Sequence, residues 1–375
     1  MPSFSFCPNP LCIMHLSYPS PGWFIPFGFY LTRTFGIVPR FRCRVCHRTF
    51  SSQTFSLDFY AKRRVDYPDL LNRHASSESL RALSRNLKVS CGTIQNRLDR
   101  LARQGVALHS QLRRFADPKE SVCIDGLVSF DVSKFFPNEI TLSITSNSRF
   151  VLDVSHATRR RSGSTTANQK AQAEKIYPRV SFERGGIGRT FRDILDGLSE
   201  DRAIRGGFPL VLITDEKKEY QQVLSRHPLF GNQDETHRIA HLRVLSSLPR
   251  TYSNPLFPSN YLDREIRKDQ ANHHRETVCF CRNVSNGMSR LWCYLVHHNF
   301  RKKYRIGDAV SRDGVHGEEA GIPRARIELG LAWMFSRRAF LSRTPLTEAQ
   351  RKIWIKGYPT PLKSRAEYLP RYAAA

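Results

Sequence analysis

Five runs of strand-forming residues lie between positions 121 and 245, and their order limits the folds open to this chain. The first three, SVCIDGLVSF, NEITLSIT and RFVLDVSHA, follow one another across short turns, which is typical of an antiparallel meander. Polar stretches of helical character follow at about 166–175 and 190–198. The runs FPLVLITDEKKEY and HRIAHLRVL then predict two more strands, and a long helical region is expected at about 262–299.

This order of strands and helices predicts an α/β fold, a ribonuclease-H-like sheet with helices on its faces. Asp125 lies inside the first strand and Asp215 at the carboxyl end of the fourth, each after a run of apolar residues. A carboxylate beside a buried strand is costly unless it is solvated, paired or bound to a metal. A single strand-end aspartate is more often a turn former or a helix cap. Two on neighbouring strands favour a site for a divalent cation, which relieves their repulsion.

Two short cysteine pairs precede this region. Cys7 and Cys12 form C-x4-C, and Cys43 and Cys46 form C-x2-C. Four thiolates suit a structural Zn²⁺ ion, which prefers tetrahedral sulfur ligands. A redox pair would need the C-x2-C to open a helix after a strand, and unligated cysteines are the remaining alternative.

Other residues near the cysteines bear on the same site. His15 and His47 could replace one ligand, although surface positions are expected for both. Arginines around the second pair would give the module a phosphate-facing surface. They are Arg40, Arg42, Arg44 and Arg48.

The stretch 77–104, SESLRALSRNLKVSCGTIQNRLDRLARQ, has apolar residues at helical spacing and predicts a helix-turn-helix with Gly92 in the turn. The second helix is expected to present side chains of the types that reach base edges and phosphates. These are Gln95, Asn96, Arg97 and Arg100. The alternative is a plain helical hairpin with a solvated basic face.

The charge balance agrees with a nucleic-acid partner. The chain has 59 Lys and Arg against 33 Asp and Glu, a formal net charge of +26. A membrane-surface protein would usually concentrate such charge on one amphipathic helix, whereas here it is spread along the chain. No stretch approaches the roughly 18 apolar residues needed to span a bilayer. Nine cysteines, an odd number, argue against a secreted disulfide framework, so a cytoplasmic protein is expected.

Taken together, the order of these parts resembles the DDE transposases of bacterial insertion sequences. The resemblance rests on CPNPLC with CRVCHRTFSS, the helix-turn-helix, DGLVSF, ATRRRSGSTTANQKAQ, LITDEKKEY, and NYLDREIRKDQANHHRETVCFCRN with HHNFRKKYRI. It implies a zinc ribbon at 1–60, a helix-turn-helix at 61–116, a ribonuclease-H-like catalytic domain at 117–306 and a basic, partly helical tail at 307–375. In that family two aspartates and a glutamate hold two Mg²⁺ or Mn²⁺ ions that cut DNA and join element ends to a target.

The resemblance also assigns site residues. Asp125 and Asp215 match the first two acids. The third is sought among Asp263, Glu265 and Glu276; chemical type favours Glu265, with Asp263 next. Two basic clusters are expected to neutralise DNA phosphates or to form ordinary solvated faces. They are Arg159, Arg160 and Arg161, and Arg301, Lys302 and Lys303.

The family implies double-stranded DNA as partner, both element ends and target, a homo-oligomer on DNA, and a bacterial, nucleoid-associated protein. Two other interpretations remain open at this point. One is a zinc-knuckle and helix-turn-helix regulator without catalysis, whose acids would not converge. The other is a degenerate transposase that binds DNA but does not cut it.

Overall fold

The N-terminal part of the chain is a small antiparallel sheet with an aromatic core. The computed structural model describes residues 4–17, 19, 21–163, 165–204, 209–231, 239–274, 279–305 and 314–375. A single helical turn, α1 (Ile13–Leu16), precedes strands β1 (Phe24–Thr32), β2 (Gly36–Cys43) and β3 (Thr49–Ser51), which pair in that order. Trp23, Phe41 and Phe50 pack at its centre, and this cluster is separate from the main core.

Three helices follow: α2 (Tyr67–Ala75), α3 (Leu80–Asn86) and α4 (Cys91–Leu112). The Ser79 and Ser90 side chains accept hydrogen bonds from backbone amides of α3 and α4 and so cap their N-termini. The two predicted helices are therefore confirmed, but Gly92 lies in the first turn of α4 rather than in the connection. The connection between α3 and α4 instead contains Lys88, whose φ of 52° lies in the left-handed region.

The long helix α4 runs through the main core. Leu98, Ala102 and Val106 are fully buried. A Cβ atom at Gly105 would lie 2.7 Å from Val296 Cγ2, so only glycine allows the neighbouring helix to approach this closely. That neighbour is α10 (Val284–Phe300).

The second sheet contains five strands in the order β6-β5-β4-β7-β8. The strands are β4 (Val122–Phe130), β5 (Pro137–Thr145), β6 (Val151–Thr158), β7 (Leu210–Asp215) and β8 (Ile239–Val244). β5 is antiparallel to both of its neighbours, which confirms the meander, while β7 runs parallel to β4 and β8 parallel to β7. The central strand β4 is therefore joined to an antiparallel strand on one side and a parallel strand on the other.

The remaining helices are α5 (Ala167–Ile176), α6 (Gly186–Ile204), α7 (Lys218–Leu224), α8 (Pro228–Gly231), α9 (Phe257–Asp269), α11 (His316–Glu319), α12 (Arg324–Ser336) and α13 (Glu348–Ile355). α6 packs on β5 and β6, and α9 packs on β4 and β5. The fold is thus mixed α/β, as predicted.

Two expectations about helices need correction. The single helical region predicted at 262–299 is two helices, because Gln270 adopts an extended conformation that ends α9 and the Asn283 side chain caps a new helix, α10. The predicted tail is part of the core: Ile327, Met334 and Trp354 belong to one buried cluster that extends from Leu57 to Tyr358. The predicted parts at 61–116, 117–306 and 307–375 therefore follow one another in the sequence but share one hydrophobic core.

No helix in these described ranges is both long and apolar enough to cross a membrane.

Candidate functional site

The four paired cysteines meet at one point. Their sulfur atoms all lie within 4.8 Å of one another, with Cys7 Sγ 3.7 Å from Cys46 Sγ and Cys12 Sγ 3.9 Å from Cys43 Sγ. A tetrahedron with Zn–S bonds of about 2.3 Å has S–S edges of about 3.8 Å. The spacing is much longer than the roughly 2.05 Å of a disulfide bond. The cluster could therefore hold a structural metal ion such as zinc.

Local structure explains why these thiols converge. Cys7 and Cys12 flank the loop before α1, while Cys43 ends β2 and Cys46 lies in the turn to β3. Burial raises the pKa of the Cys7 thiol. At Cys46 burial acts in the same direction but is outweighed by hydrogen bonds, first from the Arg48 backbone, which lower its pKa to about 7. A bound cation would favour the thiolate form throughout the cluster.

The two histidines near the cysteines, for which surface positions were predicted, differ in burial. His15 is fully buried, with Nδ1 2.6 Å from the Cys7 carbonyl oxygen and Nε2 2.7 Å from Ser342 Oγ. Because a carbonyl only accepts, Nδ1 is the donor. The surface position predicted for His15 is wrong, and its ring instead orients the loop that carries Cys7. His47 is exposed, as expected.

The predicted acids Asp125 and Asp215 lie where two parallel strands part. The β4–β7 pairing ends at Ile124 and Thr214, and each aspartate is the next residue. The ammonium of Lys217 lies between them, 3.5 Å from Asp125 Oδ1 and 3.5 Å from Asp215 Oδ2. Two carboxylates from positions 90 residues apart in the chain therefore share one positive charge.

A third carboxylate, missed in the sequence, completes this cluster. Glu139 on β5 is fully buried, and its Oε1 lies 3.0 Å from Lys217 Nζ. A Cβ at Gly126 would fall 1.9 Å from the same oxygen, so glycine at that position is what lets Glu139 reach across β4. The other carboxylate oxygen is 3.6 Å from Arg159 Nη1. The sequence signal that was available is an acid within the strand-forming run NEITLSIT.

The candidates for the third catalytic acid differ in their surroundings. Asp263 is buried, and burial followed by the negative charge of Asp125 raises its pKa from 3.8 to about 7. Glu265 instead lies 2.5 Å from Lys302 Nζ. Burial opposes ionisation of Glu265, but its bonds to Lys302 and Lys268 lower its pKa. The two acids therefore have different partners: Asp263 lies 3.7 Å from Arg267 Nη2 and is affected by the charge of Asp125, whereas Glu265 binds Lys302 and Lys268. Glu276 lies outside the described residues.

The acidic cluster has the chemistry of a divalent-cation site. Carboxylate oxygens are the ligands that Mg²⁺ prefers. Lys217 occupies the position of a cation among three such oxygens. In the part of the chain that the structure describes, the cysteine set is nevertheless the only group of three or more ligand atoms within 4.8 Å of one another. Asp125 and Asp215, which both contact the ammonium, are the residues that could hold an ion in its place.

The side chains predicted to read DNA from α4 point into the protein. Arg97 and Arg100 are 4% and 5% exposed. Arg97 donates to the Arg63 carbonyl oxygen at 2.8 Å, and Arg100 to the Leu57 carbonyl oxygen at 2.6 Å. The prediction of an outward basic face is wrong because α4 is covered along most of its length.

Gln95 and Asn96 are also engaged within the protein. Gln95 donates to Asp99 at 2.8 Å, and Asn96 accepts from Arg97 and Arg100. Both are half-buried. The polar side chains of α4 therefore bind one another and the backbone around them.

The other basic groups are only partly available to a ligand. Arg159 faces Glu139, and Arg161 donates to the Lys134 carbonyl oxygen, whereas Arg160 is exposed and stacks over a tyrosine ring. In the second cluster, Arg301 and Lys302 bind Asn72 and Glu265, and Lys303 is exposed. Around the cysteines, Arg44 and Arg48 are exposed, while Arg40 and Arg42 lie against Phe27.

No protein-family model matches the chain, and a search of curated proteins found no match.

Removing one cysteine of the cluster should release the metal. We expect close to one zinc ion per chain in the parental protein and a loss of zinc, with a lower melting temperature, in Cys43→Ser, because three thiolates hold the ion less well than four. Elemental analysis and thermal melting measure both. Cys91→Ser, at an exposed cysteine outside the cluster, is the control. Parental protein that folds without zinc would contradict the assignment.

Asp263 and Glu265 should affect stability in opposite directions. The raised pKa of Asp263 means that ionising it costs stability as pH rises from about 4 to about 7. Asp263→Asn should therefore stabilise the metal-free protein at pH 7.5 by about 1–3 kcal/mol and have little effect near pH 4. The lowered pKa of Glu265 stabilises the fold at neutral pH, and this contribution is lost on acidification. Glu265→Gln should thus destabilise at pH 7.5 by about 1 kcal/mol.

Urea unfolding at several pH values measures these effects. Equal effects of the two substitutions at pH 7.5 would show that the two carboxyls do not occupy different electrostatic environments.

Lys217 should be the counter-charge of the acidic cluster. Lys217→Met leaves three carboxylates without their shared ammonium, so we expect a loss of about 2–4 kcal/mol in the absence of divalent metal. Added Mg²⁺ should restore more stability to this variant than to the parental protein. Unfolding with and without Mg²⁺ tests this, and Lys218→Met, at the exposed neighbouring lysine, is the control. A Lys217→Met protein as stable as the control would refute the role.

Proposed function

We propose that the chain is a DDE-type DNA transposase, which binds element ends and catalyses metal-dependent strand cleavage and strand transfer. The observation that carries the proposal is the meeting of Asp125 and Asp215 at the end of the β4–β7 pairing, around one cation. A regulator without catalysis gives no reason for acids so far apart in sequence to converge there.

The strand order supports a ribonuclease-H-like fold for this region. Three consecutive strands form an antiparallel meander, the first of them is central, and two later strands extend the sheet in parallel with it. α9 follows the last strand and packs on β4. Its residue Asp263 has a raised pKa, caused by burial and then by the negative charge of Asp125. The third acid in the proposal is Asp263, in preference to Glu265.

The residues of the chain have separate parts in the proposed reaction. Divalent ions, when bound, would activate the attacking hydroxyl and stabilise the leaving oxygen of the phosphodiester. Asp125, Asp215 and Asp263 are the residues that would hold them. Glu139 binds the Lys217 ammonium at 3.0 Å, so it would keep the lysine beside the site when the aspartates hold an ion.

Cleavage should depend on three acids and not on Glu265. Asp125→Asn, Asp215→Asn and Asp263→Asn keep side-chain shape but remove a ligand charge, so each should lower cleavage at least about 100-fold, as loss of a major electrostatic contribution to catalysis does. The assay is cutting of a labelled duplex that carries the DNA flanking the coding sequence, with Mg²⁺ or Mn²⁺.

The control in this assay is Glu265→Gln, a carboxylate-to-amide change on the same helix, which should retain most of the activity. DNA binding should survive in all four variants. Cleavage at the parental rate by Asp125→Asn or Asp215→Asn protein would refute the proposed function and leave the DNA-binding regulator as the better interpretation. Parental protein that binds DNA but never cuts it would point to the degenerate transposase.

A further inference from the structure

A large open cleft with a basic lining lies at the N-terminal sheet. It is bounded on one side by the β1–β2 hairpin and on the other by residues 58–64, and its volume is about 1260 Å³. Small-molecule clefts typically measure about 300–1,000 Å³. The cleft is therefore large for a metabolite and suited to part of a polymer.

Positive charge dominates the lining of this cleft. Its cations are Arg33, Arg40, Lys62, Arg63 and Arg64. Its one acid is Asp58, whose carboxylate already accepts a hydrogen bond from the Tyr67 hydroxyl at 3.0 Å. Within the ranges that the structure describes, none of the five cations forms an ion pair with a carboxylate. Like charges held this close repel one another, and a polyanion is the partner that relieves the repulsion.

Hydrogen bonds from buried arginines hold one wall of the cleft in place. Arg97 donates to the carbonyl oxygen of Arg63, and Arg100 donates to that of Leu57. From the hairpin, the Thr34 hydroxyl donates to the Lys62 carbonyl oxygen at 2.9 Å. The arginines that the sequence suggested as base readers thus anchor the segment that carries three exposed cations.

Aromatic rings accompany the cations. The Arg64 guanidinium lies 4.8 Å from the ring centre of Phe35 in the hairpin, and Tyr60, on the same wall as Arg64, is 77% exposed. Threonine and serine hydroxyls complete the lining. Cations interleaved with aromatic rings and small hydroxyls match the chemistry of nucleic acids, which offer phosphate oxygens and stacking surfaces.

We propose that this cleft binds the phosphate backbone of DNA and is the principal DNA-contacting surface of the N-terminal half of the chain. The choice of DNA among polyanions rests on the proposed function. The position of the surface rests on the geometry of the cleft alone, and it replaces the outer face of α4 as the site of contact.

The test compares two triple substitutions that remove the same charge. One is Arg33→Gln, Lys62→Gln and Arg64→Gln in the cleft. The other is Arg114→Gln, Arg351→Gln and Arg365→Gln, at exposed arginines outside it. Zinc-loaded protein is titrated with a labelled random-sequence DNA duplex by fluorescence anisotropy between 50 and 200 mM salt, with no other divalent metal added.

We expect the cleft triple to bind more than about 10-fold more weakly at low salt and its log-log salt slope to become shallower by about 2–3, since each neutralised phosphate contributes about 0.9. The control triple should lose less than about 3-fold. Thermal melting verifies that both triple variants are folded. The single change Arg64→Glu should weaken DNA binding more than Arg64→Gln does, which provides a second test of the cleft.

Equal weakening by the two triples, or parental affinity in the cleft triple, would overturn the proposal. Strand cleavage does not enter this measurement, which reports DNA binding alone. A negative result for DNA binding in the cleft and a negative result for the proposed cleavage activity can therefore be distinguished.

Discussion

The geometry of the acidic site depends on the charge of Lys217. Its ammonium lies within 3.5 Å of carboxylate oxygens from Asp125, Glu139 and Asp215, which come from three adjacent strands. Without a cation these groups would repel, and the repulsion would be strong because Glu139 is fully buried. The chain thus supplies its own counter-ion, which keeps the acids gathered at the end of the β4–β7 pairing. A site arranged in this way needs little rearrangement when another cation takes the place of the ammonium.

Buried arginines of α4 perform a second structural task. Arg97, Arg100 and Arg103 each donate to a backbone carbonyl oxygen, of Arg63, Leu57 and Trp354 respectively. A buried carbonyl without a donor is costly, and a guanidinium can reach carbonyls that no regular element satisfies. These bonds join α4 to the segment before α2 and to the C-terminal helix α13. The basic character of this helix therefore serves cohesion of the fold, although the same residue types in an exposed helix would favour DNA contact.

The sequence predicts the features that depend on local patterns of residues. It does not predict the features that depend on which parts of the fold pack together. All five strands of the large sheet were predicted, because runs of apolar and β-branched residues are local signals. The cysteine set followed from spacing. The direction of Arg97 did not, since whether a helix face meets solvent depends on what packs against it. Asp263 and Glu265 are two residues apart, about 200° around the helix, so only packing distinguishes them. Glu139 was missed because its role depends on Gly126, a contact between strands that no linear pattern shows.

The cysteine cluster and the basic cleft are connected through the same small sheet. Cys43 ends β2, the strand that forms part of the cleft wall, and Cys7 is oriented by His15, which binds Ser342 of the C-terminal segment. Arg343 donates to the His15 carbonyl oxygen, and Arg338 to that of Thr54. Among the described residues, the core of the small sheet is a cluster of aromatic rings and cysteines, too small to fix the hairpin by burial alone. A metal held by the four thiolates would tie the loop before α1 to the end of β2 and to the turn that follows it. None of the four cysteines lines the cleft, so the metal would support the surface proposed to bind DNA from outside it.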